Sequence, residues 1–278
     1  MTDESRVSPG ADTDADAVAA ARPSIARIYD SHLGGGHQLA VDREATRAVL
    51  EIMPELPAVL RVSLAFLQRN VRFLVDSGIR AFLDLGAGIP TIDNVHDIAQ
   101  AVDPTARTVY VDNDPVAVQE RRMLVAGNDR ALALNRDLRD TASILGDPDV
   151  VRLLGLGTGE PIAVLMSAVL HFVPDDDDVV ALLAAYHAAM PPGSYLMISH
   201  GSRTEGAAER ITQAAERYSR TVAPLKLRSP EELAKLVEHF EPVEPGVVYC
   251  SQWRPDPWTR PGADKAPLPQ IGVLVRKV

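Results

Sequence analysis

The chain has 278 residues, 46% of them apolar, with 28 basic against 38 acidic side chains and a formal net charge of −10. That length holds two small domains or one large α/β domain with an appendage, and it can bury a sizeable core. The acidic balance argues against a nucleic-acid partner tracked by a basic face, and no apolar run approaches the roughly 20 residues of a membrane helix.

Residues 1–21 carry five acids and one arginine. Such a segment cannot offset the entropy of ordering, so it reads as a disordered acidic tail, and it lacks the apolar core of a signal peptide. The one cysteine, Cys250, excludes an internal disulfide framework and a multi-cysteine zinc site. A reducing compartment follows, and a cytoplasmic chain is expected. Residues 23–57 contain Gly34-Gly35-Gly36, which serve either as a flexible loop or as part of a cap over a ligand. Leu60, Leu64, Leu67, Val71 and Leu74 form one apolar stripe. They predict a helix over 58–76 that packs on the core and stops at Gly78.

From residue 79 strands and helices alternate. Strands are expected at 81–85, 108–111, 131–134, 161–169 and 194–200, with helices at 95–102, 115–126 and 177–190. A polar helical stretch at 204–221 is either a lid or a solvated face. Ser229-Pro230 starts a helix that runs to about Phe240. Strand-like runs at 247–253 and 271–275 close the chain and should pair antiparallel at one edge. The pattern is α/β, a doubly wound, mostly parallel sheet covered on both faces. Ligands of such sheets sit beyond the carboxyl ends of the strands.

Four turns leave those ends. The first is Asp84-Leu85-Gly86-Ala87-Gly88, where Gly86 and Gly88 let a ligand approach the backbone. The third glycine of a dinucleotide turn is replaced by Thr91, and Asp84 would repel a pyrophosphate. An acid there suits a ligand carrying an ammonium group, which favours S-adenosylmethionine (SAM) over NAD. The second turn is Asp112-Asn113-Asp114-Pro115, with Asp112 24 residues after Gly88. A ribose-binding acid stands about 20 residues past the glycine motif in related folds. Asp112 is therefore assigned to the ribose and Asp114 to the helix cap. In the third turn Asp137 and the next backbone N–H, that of Leu138, face an adenine. The fourth runs from Ser167 to Phe172 and brings His171 toward the pocket, while His200 ends the fifth strand. Both histidines are candidate bases.

Asp175 to Asp178 read as a helix N-terminus rather than a cation site, and no metal is expected. Trp253 and Trp258 read as packing residues.

The combination of RPSIARIYDSHLGGG (22–36), FLDLGAGIPTIDNVHDIAQ (82–100), VYVDNDPV (109–116), RDLRD (136–140), VLHFVPD (169–175) and GSYLMISH (193–200) resembles class I SAM-dependent methyltransferases. More narrowly, it resembles an actinobacterial SAM-methyltransferase family catalogued as a domain of unknown function. The resemblance covers about residues 22–277. It implies a seven-stranded sheet with the last strand antiparallel, a helical cap over 22–78 and a SAM-binding domain over 79–278. It implies SAM contacts by Asp84, Gly86, Gly88, Asp112, Asn113, Asp137, Leu138 and Ser167, with Tyr29, Gly34, Asp42 and Arg43 as neighbours from the cap. A small-molecule O or N acceptor is expected, with His171, His200 or Tyr29 taking its proton; the sequence does not choose among them. Gly36-His37-Gln38-Leu39 and Ser63-Leu64 depart from the family's polar pattern. That departure keeps open a SAM-binding sensor or regulatory partner without turnover, beside the weaker alternative of an NAD-dependent oxidoreductase. Monomer and homodimer are equally compatible with the sequence.

Overall fold

A computed structural model describes residues 22–203, 207–255 and 268–278. The tail expected at 1–21, the start of the 204–221 stretch and Trp258 lie outside the described residues. The sheet contains β1 (Ala81–Leu85), β2 (Arg107–Asp112), β3 (Ala131–Asn135), β4 (Ala163–Ser167) and β5 (Tyr195–Gly201), all parallel. It also contains β6 (Glu241–Pro242), β7 (Val248–Tyr249) and β8 (Gln270–Arg276). The order is β3-β2-β1-β4-β5-β8, with β6 and β7 both beside β8. The last strand, β8, is antiparallel to β5, β6 and β7.

The central strands are buried on both faces, as a parallel sheet requires. Leu83, Val109, Val164 and Ile198 pack one face, while Phe82, Tyr110, Leu165 and Met197 pack the other. The strand expected at 247–253 is cut short. After β7 the chain turns into a 3-10 segment, Cys250–Gln252. Buried Arg69 takes the carbonyls that a longer ladder would use, donating to Cys250 O at 2.6 Å and Trp253 O at 3.0 Å. Trp253 is buried edge-on against Phe66 and Phe73, the packing role expected of it.

Among the described residues three helices precede the sheet: α1 (Ile25–His32), α2 (Ala40–Ile52) and α3 (Leu56–Asp76). The glycines at 34–36 join α1 to α2 in a packed turn. A Cβ on Gly35 would stand 2.0 Å from Asp30 Oδ1, so the chain passes where a side chain has no room. In α3 the deepest stripe is Val59, Ser63, Phe66, Asn70 and Leu74. Leu67 packs on the core as expected and, with Leu64, also walls a cavity at the carboxyl ends of the strands, while Leu60 walls a second one.

Around the sheet lie α4 (Val95–Val102), α5 (Pro115–Leu124), α6 (Thr141–Leu145), α7 (Pro148–Leu154), α8 (Asp176–Ala189), α9 (Ala208–Thr221) and α10 (Pro230–Leu236). The short α6 and α7 were not expected; Asp140 and Asp147 cap them. Helix α9 packs on α2 and α3 through Ala214, which meets Val49, Met53 and Val59.

One buried carboxylate fastens the N-terminal helices. Asp42 accepts from Arg27 Nε at 2.7 Å, Arg27 Nη2 at 3.1 Å, Ser24 N at 2.9 Å and Leu39 N at 2.7 Å. Burial works against its charge, but these donors outweigh it and leave its pKa below the usual carboxylate value. Asp42→Ala strands a buried guanidinium and is expected to lower unfolding free energy by about 3–5 kcal/mol in denaturant titration. A loss below about 1 kcal/mol, the scale of a surface pair, would show that this fastening is not what holds the helices.

Candidate active site

The first turn follows a strand with no exposed residue. Gly86 and Gly88 have φ of +72° and +64°, where a side chain is strained. A Cβ on Gly86 would meet Val169 Cγ2 at 2.4 Å; on Gly88 it would project into open cavity. Beneath the turn lies Arg121 of α5, which the sequence reading passed over. Its Nε donates to Gly88 O at 2.8 Å, Nη1 to Asn94 Oδ1 at 3.1 Å and Nη2 to Ala87 O. Its guanidinium stacks 4.4 Å from the Tyr110 ring centroid.

Two acids flank that turn, Asp84 buried and Asp112 partly so. Asp84 is only 3% exposed. Its pKa is pushed up to about 6, mainly by burial; the Arg121 charge pulls it back and Asp112 adds to the rise. Asp112 Oδ2 accepts from Gly88 N at 2.7 Å and Oδ1 from Asp114 N at 2.8 Å. One amide per oxygen leaves each a lone pair for a hydroxyl donor. Burial raises the Asp112 pKa as well, against those two amides.

Asp114 caps α5 through Val116 N and Ala117 N, at 2.8 and 3.2 Å. Its other oxygen accepts from Ser24 Oγ at 2.5 Å, which ties α1 to the second turn. In the third turn Asp137 is paired with Arg139, which donates to Oδ1 at 2.9 Å and Oδ2 at 2.5 Å and lowers its pKa. Leu138 O accepts from Tyr186 Oη at 2.9 Å.

These turns enclose a cavity of about 640 Å³, within the ordinary range for small-molecule sites. Asp84, Gly86, Gly88, Asp112, Asn113, Asp137, Leu138 and Ser167 all line it, as does Tyr29 from α1. Gly34, Asp42 and Arg43 do not. Asp42 is consumed by the helix fastening, Arg43 is exposed and donates to Gln38 O at 3.3 Å, and Gly34 faces open space.

A second, smaller cavity of about 110 Å³ adjoins the first; Ile25, Tyr29, Ala168 and Phe172 line both. Ala168 has φ of +52°, unusual for a side-chain-bearing residue. Ser199 holds it there, accepting from Ala168 N through Oγ at 2.9 Å. His171 lines the smaller cavity; its Nδ1 accepts from Gly201 N at 3.4 Å. Burial, then the nearby His200 and Arg228, push its pKa well below the ordinary value, so the ring is neutral.

His200, expected at the rim, lines neither cavity. It is fully buried, with Nδ1 donating to Gly201 O at 2.8 Å and Nε2 accepting from Arg228 Nη1 at 2.9 Å. That tautomer leaves no lone pair free. Arg228 also donates to Leu170 O, Val173 O and Asp176, fixing the start of α8. Asp176, from the acidic run, pairs with Lys226 at 2.5 Å as well.

A parallel sheet with an antiparallel β8 between β5 and β6, a glycine turn after β1 and acids at the carboxyl ends of β1 and β2 define a class I SAM-dependent methyltransferase. The residues fit the cofactor. There is open space beside the backbone at Gly88, each Asp112 oxygen keeps an acceptor site beyond its one amide, and Asp84 places a buried carboxyl at the cavity wall. The comparisons agree. Residues 11–278 match the model of the family described as S-adenosyl methyltransferase. The chain is 34% identical to a candidate methyltransferase from Thermobifida fusca, covering 98% of this chain and 99% of that one with a TM-score of 0.85. It is 36% identical to a DUF574 family protein from Streptomyces avermitilis, covering 94% and 100% with a TM-score of 0.88. No curated protein matches it. The chain belongs to the S-adenosyl methyltransferase family; it is an enzyme that uses SAM, and the NAD alternative falls.

The Asp84 proton provides a test of the electrostatics. The folded carboxyl holds its proton up to about pH 6, against 3.8 ordinarily. Its contribution therefore favours the folded state most below the ordinary value and declines as pH rises toward 6. Removing the opposing cation in Arg121→Met should move the Asp84 titration, followed by carboxyl NMR, further upward. An unmoved or lowered value would mean that Arg121 does not supply the compensating charge.

Proposed function

We propose that the chain methylates an oxygen or nitrogen of a small-molecule acceptor, with residues 79–278 holding SAM and residues 22–78 closing over it as a cap. The observation that carries this reading is the second cavity, which shares the Tyr29–Ala168–Phe172 wall with the first and so lies against the cofactor site. When bound, SAM supplies an electrophilic methyl on a sulfonium. The residues do the rest. Asp84 neutralises the ammonium end, Asp112 holds the ribose, and Asp137 with Leu138 faces the adenine. Tyr29, Phe172 and Ala168 exclude water and set the angle of approach.

We assign the acceptor's proton to His171, the candidate that lines the second cavity as a neutral ring; its Nδ1, shared only with the long 3.4 Å contact from Gly201 N, is the atom that takes it. Tyr29 lies in the shared wall, but burial raises its pKa above the ordinary value, which makes its phenolate scarce; its hydroxyl serves better as a hydrogen-bond donor, 3.4 Å from Leu60 O. Methyl transfer to a neutral acceptor spreads the sulfonium charge, so alignment and desolvation matter more than a strong base.

Calorimetric titration with SAM, S-adenosylhomocysteine and NAD tests the cofactor assignment. Both sulfur nucleosides should bind and NAD should not. Asp112→Ala should weaken their binding by about 1.5–3 kcal/mol, the scale of hydrogen bonds to a charged group. Unchanged affinity would remove Asp112 from the ribose. Once an acceptor is turned over, His171→Ala should lower kcat by about 100-fold or more with little change in KM, the scale of general-base catalysis. An unaltered kcat would return His171 to a packing role.

A further inference from the structure

We infer that the second cavity takes an uncharged acceptor of single-ring size, such as a phenol, an aromatic amine or a one-ring nitrogen heterocycle, with its nucleophilic atom turned toward the Tyr29–Phe172 wall. This rests on the proposed methyl transfer and names the acceptor class for that site.

Size sets the first limit. The cavity holds about 110 Å³. Engineered apolar cavities of about 150 Å³ bind benzene. The second cavity is smaller than that, so a single ring is the upper limit of what it takes; a fused pair, a sugar or a peptide exceeds it.

Charge sets the second. Among the described residues no Asp, Glu, Lys or Arg lines the cavity, and its one histidine is neutral. A carboxylate or ammonium on the acceptor would leave water with no counter-charge to meet it, and an uncompensated buried ion is strongly disfavoured. The nearby charges are spent elsewhere. Arg228 is bound to Asp176, His200 and two carbonyls, and Arg210 of α9 pairs with Glu55 at the outer edge.

The polar groups that remain suit a neutral heteroatom. Ser202 lines the cavity, and its buried hydroxyl has no hydrogen-bond partner among the described residues. A buried hydroxyl without a partner is uncommon. Tyr29 contributes a hydroxyl in the shared wall and His171 a ring nitrogen. The aromatic faces are present too: Phe172 and Tyr218 line the cavity with centroids 6.0 Å apart and planes tilted by 34°.

The step balances with such an acceptor. Its lone pair forms the bond to the methyl carbon as the carbon–sulfur pair stays on sulfur, and its proton leaves through His171 to solvent. The sulfonium charge departs as that proton.

The test uses the full chain loaded with S-adenosylhomocysteine and probed by ligand-observed NMR. Phenol and aniline should bind saturably, while benzoate, benzylammonium and 2-naphthol should give at least tenfold less signal. Ala215→Phe places a ring in the cavity and should abolish the phenol signal while shifting S-adenosylhomocysteine affinity less than threefold. Leu227→Ala, which enlarges the cavity, should admit 2-naphthol. Charged probes binding as well as phenol, phenol binding that survives Ala215→Phe, or a loaded wild-type protein that ignores phenol would each overturn the inference and leave the cofactor reading standing. Failure of the wild-type protein to take up S-adenosylhomocysteine would overturn the cofactor reading and this inference with it.

Discussion

The site depends on one buried cation that compensates two acids without binding either. Asp84 and Asp112 stand at the carboxyl ends of neighbouring strands, both desolvated; Asp112 adds to the cost of ionising Asp84, and Asp114 adds to that of Asp112. Arg121 opposes that cost from below. Its hydrogen bonds go to the Ala87 and Gly88 carbonyls and to Asn94, and its face lies on Tyr110. A direct ion pair would have used up the carboxylates, as Arg27 uses up Asp42. Coulombic compensation at a distance keeps both acids available to a ligand and pins the glycine turn in the same stroke.

The same logic reaches the cap. Ser24 donates to Asp114, Asp114 N donates to Asp112, and Gly88 N donates to the other oxygen of Asp112. A continuous chain of hydrogen bonds thus runs from the first turn of α1 to the glycine turn after β1. Ser24 is also held from behind by Asp42. Displacing α1 would disturb the network that orients Asp112, so the seating of the N-terminal helices and the carboxylate proposed for the ribose share contacts rather than merely lying near each other.

Much of this was legible in the sequence because it rests on local rules. Apolar runs ending in glycine or acid mark the parallel strands and the turns that leave them, and Asp84, Gly86, Gly88 and Asp112 fall where such turns put them. What was not legible depends on partners distant in sequence. Arg121 looks like a surface arginine in a helix until Tyr110 and the carbonyls of Ala87 and Gly88 are placed beside it. The stripe Leu60, Leu64 and Leu67 has core spacing, yet spacing cannot say whether the opposing surface is protein or ligand. His200 sits at the end of β5, and only the fold brings Arg228 to occupy its lone pair. Asp42 carries no local sign of being bound on four sides. The two helices after β3 are each under eight residues, too short to show a period.

The two cavities divide the chemistry by polarity. The larger is bordered by acids and open amides, the environment for a ligand with an ammonium group, hydroxyls and a carboxylate. The smaller is apolar and holds no ionised side chain among its described residues. In the proposed transfer a positive charge passes from the first environment toward a neutral atom in the second. An apolar receiving side disfavours a full charge there and favours a charge already dispersed, so a late proton loss suits the geometry better than a preformed anion in the acceptor pocket. The strained backbone at Ala168 lies on the boundary between the two, held by Ser199 from β5. A side-chain-bearing residue at positive φ persists only where its surroundings over-determine it. Here those surroundings include Ser199 of β5, so the wall between the two cavities is set by the sheet rather than by a loop alone.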